Sequence, residues 1–314
     1  MFDIAREVLD ELGAGRAVGV VVVTSVFGSA PRAVGSAMAV TGEGKAIGSI
    51  SGGCVEAEAY ELARESLATG ERVTTLLGGP DDPFAAGLSC GGTLAVVASR
   101  LGAGDAADAD VVRALEASLG DGEVSLRIDA DDEVFTLVRP RIPRMIVVGA
   151  VDFSGALADA ARLLDYRVTV VDPRPVFATP ERFPSAADVV VAWPDAFLRG
   201  VAEVDPLGAA DAVCVLTHQE RLDVPALTEA LATDAGYVGA MGSRGTHERR
   251  LAALVEAGVG ADALARLRSP IGLDLGGSSP AETAAAIVAE IVSLRHGATG
   301  VPLVRTSGPI HGIH

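Results

Sequence analysis

The sequence predicts an α/β protein of two domains, a mixed α/β domain first and a doubly wound parallel sheet second. Three observations carry this. From Arg144 onward, apolar runs such as RMIVVGA, YRVTVVD, DVVVA, DAVCVLT and GYVGAM alternate with helical or loop material, and strands alternating with helices make a parallel sheet. Before that point helices mix with apolar runs, several of them paired across turns, an antiparallel habit. Between the two patterns lies RPRIPR, 139–144, with two prolines and three arginines. The boundary is placed there, giving domains 1–140 and 141–314.

The elements follow in order. MFDIAREVLDELGAG has apolar residues at 2, 4, 8, 9 and 12 among acids, the spacing of an amphipathic helix. AVGVVVVTSV reads as a buried strand and GSAPRAVGS as a loop. AMAV and KAIGSIS flank the turn TGEG as a hairpin. VEAEAYELARESLA is helical, RVTTLLG and TLAVVAS are strands, and GGPDDPFAAGLSCGG is a long loop of the kind that carries function or disorder. DADVVRALEASLGDG predicts a helix, and EVSLRID with EVFTLV a second hairpin. In the second domain DFSGALADAARLLD is a helix, and SPAETAAAIVAEIVSLRHG closes the fold as a helix opened by Ser279 and Pro280. No periodicity follows residue 300.

Composition removes several classes of function. With 25 basic against 42 acidic residues the net charge is −17, which argues against nucleic acid and against an anionic membrane surface. The longest apolar run, about 17–27, is too short for a bilayer. The N-terminus has neither a basic n-region nor an h-region, so a cytoplasmic protein without a secretory signal is expected. Cysteines stand only at 54, 90 and 214, neither a disulfide framework nor a zinc-finger spacing.

The second domain opens with Gly149-Ala-Val151-Asp-Phe-Ser154-Gly155. A dinucleotide turn would read G-x-G-x-x-G, its second glycine letting backbone approach the pyrophosphate. Val151 and Ser154 replace the later glycines, so the scaffold is Rossmann-like with a degraded phosphate grip. Weak or no NAD(P) binding is expected. Asp172 ends YRVTVVD near the ribose-binding spacing, and reads equally as a loop cap before Pro173. LTHQERLD puts His218 just past a strand, at the edge where such sheets bind ligands. GAMGSRGTHERR puts Ser243 and Arg244 at the start of a helix, where free N–H groups and an arginine suit an anion.

In SISGGCVEAE, Gly52 and Gly53 precede Cys54 just ahead of a helix, where dipole and free N–H groups would favour a thiolate. Cys90, Gly91 and Gly92 repeat the ingredients in another order. Either cysteine could handle sulfur, touch a metal-bearing cofactor, or pack as a small buried residue. Cys214, inside DAVCVLT, reads as core.

GSAPRAVGSAMAV, GSISGGCVEAE and GLSCGG in the first half resemble the N-terminal domain of the XdhC/CoxI family. RMIVVGAVDFSGALA, VTVVDPRPVFATPERF, VLTHQERLD, YVGAMGSRGTHERR and SPIGLDLGGSSPAETAAAIVAEI resemble its C-terminal Rossmann-like domain. The family's turn is closer to G-A-G-H-V-G, from which V-D-F-S departs. The resemblance implies an accessory protein of molybdenum hydroxylases such as xanthine dehydrogenase or CO dehydrogenase. Such a protein binds the molybdenum–pterin cofactor, protects it during sulfuration by a cysteine desulfurase, and hands it to the apoenzyme, without turnover of its own. By position, Gly52, Gly53, Cys54, Cys90, Gly91 and Gly92 would meet the cofactor, with Cys54 and Cys90 as contacts to molybdenum and Cys54 as the sulfur handler. Pro31 and Arg32 would close over it, Arg32 meeting a phosphate. Gly149, Asp172, His218, Ser243 and Arg244 would line a cleft of the second domain. The alternatives are a nucleotide-dependent oxidoreductase and a purely protein-binding component of a hydroxylase complex. The client enzyme, the cofactor's cytosine or guanine dinucleotide form and the oligomeric state, a homodimer included, are left open.

Overall fold

Five valines in a row of six residues decide the centre of the first unit. In a computed structural model, β1 (Val18–Phe27) follows α1 (Ala5–Gly13) and buries Val18, Val20 and Val22 on one face and Val21 and Val23 on the other. A strand presents alternate residues to opposite faces, so an uninterrupted valine run requires cover on both. Each such valine contributes about 1.5–3 kcal/mol by leaving water. The structure describes residues 1–28, 32–53, 55–78, 92–102, 104, 106–130 and 133–307.

The chain divides into two units, Met1–Arg141 and Ile142–His314. In the first, β2 (Ala37–Thr41) and β3 (Ala46–Gly48) form the hairpin around TGEG, then α2 (Glu56–Thr69), β4 (Val73–Leu77) and β5 (Thr93–Leu101) follow. The sheet runs β3-β2-β1-β5-β4 and is antiparallel throughout. Helix α2 covers the Val21 face with Ala59 and Ala63. Against the other face pack α1, α3 (Ala106–Ala117) and a hairpin of β6 (Val124–Ala130) and β7 (Glu133–Arg139).

The second unit carries β8 (Arg144–Val148), α4 (Asp152–Arg162), β9 (Arg167–Val171), β10 (Asp188–Val190), α5 (Pro194–Val204), β11 (Ala212–Val215), α6 (Glu220–Leu231), β12 (Tyr237–Ala240), α7 (Arg244–Glu256), α8 (Ala261–Ala265), β13 (Leu267–Arg268) and α9 (Pro280–Arg295). Its six strands are all parallel in the order β10-β9-β8-β11-β12-β13. That is the 3-2-1-4-5-6 order of a Rossmann sheet. Helices α4 and α9 cover one face with Leu157, Ala161, Ala284 and Ile287. Leu198 of α5, Leu227 of α6 and Leu254 of α7 cover the other. A full capping box at Ser279 and Glu282 opens α9. Among the described residues, no helix is long and apolar enough to cross a membrane.

Candidate functional site

In an open parallel sheet the strand order reverses at one point, and ligands bind outside the carboxyl ends there. Here the reversal falls between β8 and β11. Gly149 leaves β8 with φ +112°, and a Cβ built on it would lie 2.4 Å from the Thr217 methyl past the end of β11. Glycine is thus required by the neighbouring chain, whether or not a phosphate ever approaches. Ser154, in the third glycine's place, is buried and donates its hydroxyl to the Gly149 carbonyl at 2.5 Å, so it ties the turn down from within.

Asp172, wholly buried at the end of β9, is saturated. Its Oδ2 accepts from the Ala150 amide at 2.8 Å and Arg174 Nη2 at 2.7 Å; its Oδ1 accepts from the Arg174 amide at 2.9 Å and Nε at 2.8 Å. A carboxylate has about four lone-pair sites, and all four are taken. Burial pushes this carboxyl upward, but Arg174 and the two amides outweigh it and hold it below its ordinary range. A ribose hydroxyl would have to displace one of these donors or crowd in as a fifth. Asp172 caps its own loop and anchors the Gly149 turn. Val151→Gly alone is therefore expected not to create an NAD site. Calorimetry should find no dissociation constant tighter than about 1 mM, and micromolar binding would refute the saturation argument.

His218 is exposed two residues past the buried Leu216. Its neighbour Thr217 donates to buried Asp223 of α6, which pairs with buried Arg250 of α7 at 3.0 Å. Arg250 also reaches the Met241 carbonyl at 2.9 Å and the Ser269 hydroxyl at 3.1 Å. One buried ion pair thus fastens together the chain leaving β11, β12 and β13. Burial pushes the Asp223 carboxyl above its ordinary range, with Thr217 and Arg250 pulling against it. Ser243 caps α7 by accepting from the Thr246 amide at 3.2 Å. Arg244 is exposed and, among the described residues, unpaired. The structure brings Gly149, Asp172, His218, Ser243 and Arg244 to one edge of one sheet.

In the first unit, Gly52 (φ +78°) and Gly53 (φ +133°) take backbone conformations that other residues resist, and a Cβ on either would meet nothing within 4 Å. What the turn encloses is Glu56, the first residue of α2. Its carboxylate accepts from the Ser49 hydroxyl at 2.6 Å, the Ser51 hydroxyl, and the amides of Ser51, Gly52 and Gly53 at 2.9, 2.9 and 2.7 Å. This corrects one expectation from sequence: the glycine amides are not free for a phosphate or a thiolate, because an internal carboxylate holds them. Burial raises the Glu56 carboxyl, but the serine and amide hydrogen bonds overwhelm that and bring it to about 2. Arg32 lies against the same turn, donating to the Ser49 carbonyl and to Asp3, each at 3.2 Å.

Gly92 is buried just ahead of β5. Pro31, Cys54, Cys90 and Gly91 lie outside the described residues. Cys214 is fully buried in the core of the second unit, where burial pushes its thiol up. Among the described residues, no three His, Cys, Asp or Glu side chains are grouped to hold a metal ion. Sequence reasoning missed Glu56, Arg174, Asp223 and Arg250, although each stands inside a motif it quoted.

A sequence model of the XdhC Rossmann domain matches residues 145–291, and one of the XdhC and CoxI family matches residues 12–77. The chain belongs to the XdhC and CoxI family. Among its relatives is YqeB of Escherichia coli K12, an uncharacterized protein, 26% identical over 90% of this chain, which spans 44% of YqeB's length. A Bacillus subtilis 168 protein named as a probable xanthine dehydrogenase subunit is 26% identical, with 87% of this chain and 92% of that protein covered. The molybdenum cofactor insertion chaperone PaoD of Escherichia coli K12 is 26% identical, with 93% and 88% covered. A crystal structure described as a xanthine dehydrogenase from Bacillus halodurans superposes with a TM-score of 0.71 over 92% of this chain and 95% of that one. At 23% identity this last likeness shows the fold of the XdhC/CoxI chain.

Proposed function

We propose that this chain is an accessory factor for a molybdenum hydroxylase of the xanthine dehydrogenase type. It binds the molybdenum–pterin cofactor as cargo, shelters it during sulfuration by a cysteine desulfurase, and passes it to the apoenzyme. The observation that carries the reading is the membership of both halves in one family, with relatives named as a cofactor insertion chaperone and as a dehydrogenase subunit. The geometry supports a carrier over an oxidoreductase. Asp172 is already held by four donors, with which a nicotinamide dinucleotide's ribose would have to compete, and Val151 stands where the pyrophosphate would need bare backbone.

The chain's own residues have separable tasks. Arg32, exposed beside the Ser49–Gly53 turn, is the cation available to a pterin phosphate. His218, Ser243 and Arg244 offer hydrogen bonds and charge at the carboxyl edge. Cys54 and Cys90 supply thiolates, which are good partners for molybdenum. The test is purification from a host that makes the cofactor, with molybdenum measured by mass spectrometry and pterin by fluorescence after oxidation. Both should accompany the wild-type protein, and Cys54→Ser should carry less while melting at the wild-type temperature. Wild-type protein free of both would sink the proposal.

A further inference from the structure

We propose that the β9–β10 side of the carboxyl edge is a stacking site for a flat nitrogen heterocycle bearing phosphate, with Phe177 and Trp193 as its ring platforms and Arg182 as the cation beside them. The inference rests on the cofactor reading above and locates the ring system that such a cargo would bring, either its pterin or the base of its nucleotide.

Phe177 lies in the chain that follows β9 and is 43% exposed. Two guanidinium groups fix it, Arg174 at 4.7 Å and Arg182 at 5.7 Å from the ring centre. Arg174 is already committed to Asp172. Arg182 donates to the Phe177 carbonyl at 3.0 Å and to the Ala150 carbonyl at 3.3 Å, so it fastens the aromatic residue to the turn at Gly149. Its acidic partner, Asp152, is 3.4 Å away and almost wholly exposed; such a pair is weak and yields readily to a phosphate.

Trp193, the chain's one tryptophan, is 55% exposed. It stands at the N-terminus of α5, three residues beyond β10. Strands β9 and β10 are parallel neighbours, and the Asp172 amide donates to the Val190 carbonyl at 3.1 Å. The Phe177 and Trp193 segments therefore leave the same edge of adjacent strands. Phe177, held against two guanidinium groups yet left half in water, loses little conformational freedom when a ring covers it. Stacking also tolerates different rings, because each has a π-face.

The single tryptophan makes the test direct. Full-length protein is titrated with cytidine diphosphate, guanosine diphosphate and 6-hydroxymethylpterin diphosphate, with inorganic pyrophosphate as the ring-free control. Tryptophan emission is corrected for absorption against N-acetyltryptophanamide. At least one ring-bearing probe should quench saturably and pyrophosphate should not; the probe that quenches tells base from pterin. Phe177→Ala, at an exposed position, should weaken that binding about tenfold without lowering the melting temperature. Absence of saturable quenching by all three probes at millimolar concentration, or unchanged affinity in Phe177→Ala, overturns the site. If molybdenum and pterin still accompany the protein in that case, the accessory reading stands and only this location fails.

Discussion

Arg250→Met should destabilise the second unit by about 3–5 kcal/mol, the cost of leaving one partner of a buried ion pair alone. Asp223 and Arg250 are each almost completely enclosed and meet at 3.0 Å. Removing the guanidinium strands the Asp223 carboxylate with only the Thr217 hydroxyl, and also releases the Met241 carbonyl and the Ser269 hydroxyl. For a domain of this size the melting temperature should fall by roughly 6–20 °C. Asp223→Leu added to Arg250→Met should recover much of the loss, since replacing a buried pair by apolar groups is often neutral. Exposed Arg249, one residue away, serves as the control. If Arg250→Met melts within a degree or two of wild type, the pair does not hold the edge together. Because the pair fastens the segments that bear His218 and Ser243, under the proposed function the single variant should also lose cofactor before it unfolds.

How much of this was legible in the sequence depends on the range of the interaction. The parallel sheet was legible because burial on both faces writes itself into contiguous runs such as MIVV and VCV. The hairpin around TGEG was equally local. Gly149 was legible as a turn glycine, yet its demand comes from Thr217, a residue past the end of another strand that no local pattern connects to it. Asp172 was readable as an acid at a strand end. Whether it is free or filled depends on the rotamer of Arg174, and a spacing rule carries no such information. Asp223 and Arg250 lie 27 residues apart, so no local pattern joins them. Glu56 was hidden differently. It sits in the quoted SISGGCVEAE, but the glycines drew the eye to the thiol, while the amides they free turn toward the carboxylate.

That enclosure gives the second large effect, and it has a pH signature. Glu56→Gln should cost the first unit about 2 kcal/mol at neutral pH, a figure reduced from the full shift because the carboxylate keeps some contact with water. Gln offers one acceptor oxygen where Glu offers two, and its NH2 would face donors from Ser51 and Gly53. The folded carboxyl titrates at about 2 against an ordinary 4.5. A depressed folded value means that the stabilisation is fully present above about pH 4.5 and is lost as the pH falls through about 2. Wild type should therefore lead the variant by most at pH 6–7, and the gap should narrow steadily between about pH 4.5 and pH 2. Urea denaturation at pH 7, 4 and 3 follows it directly. A gap that stays constant across that range would mean that the turn is held by shape alone, and no gap at all would mean that the glycine amides find water as readily as Glu56. In the second case those amides would be open to an anionic ligand after all.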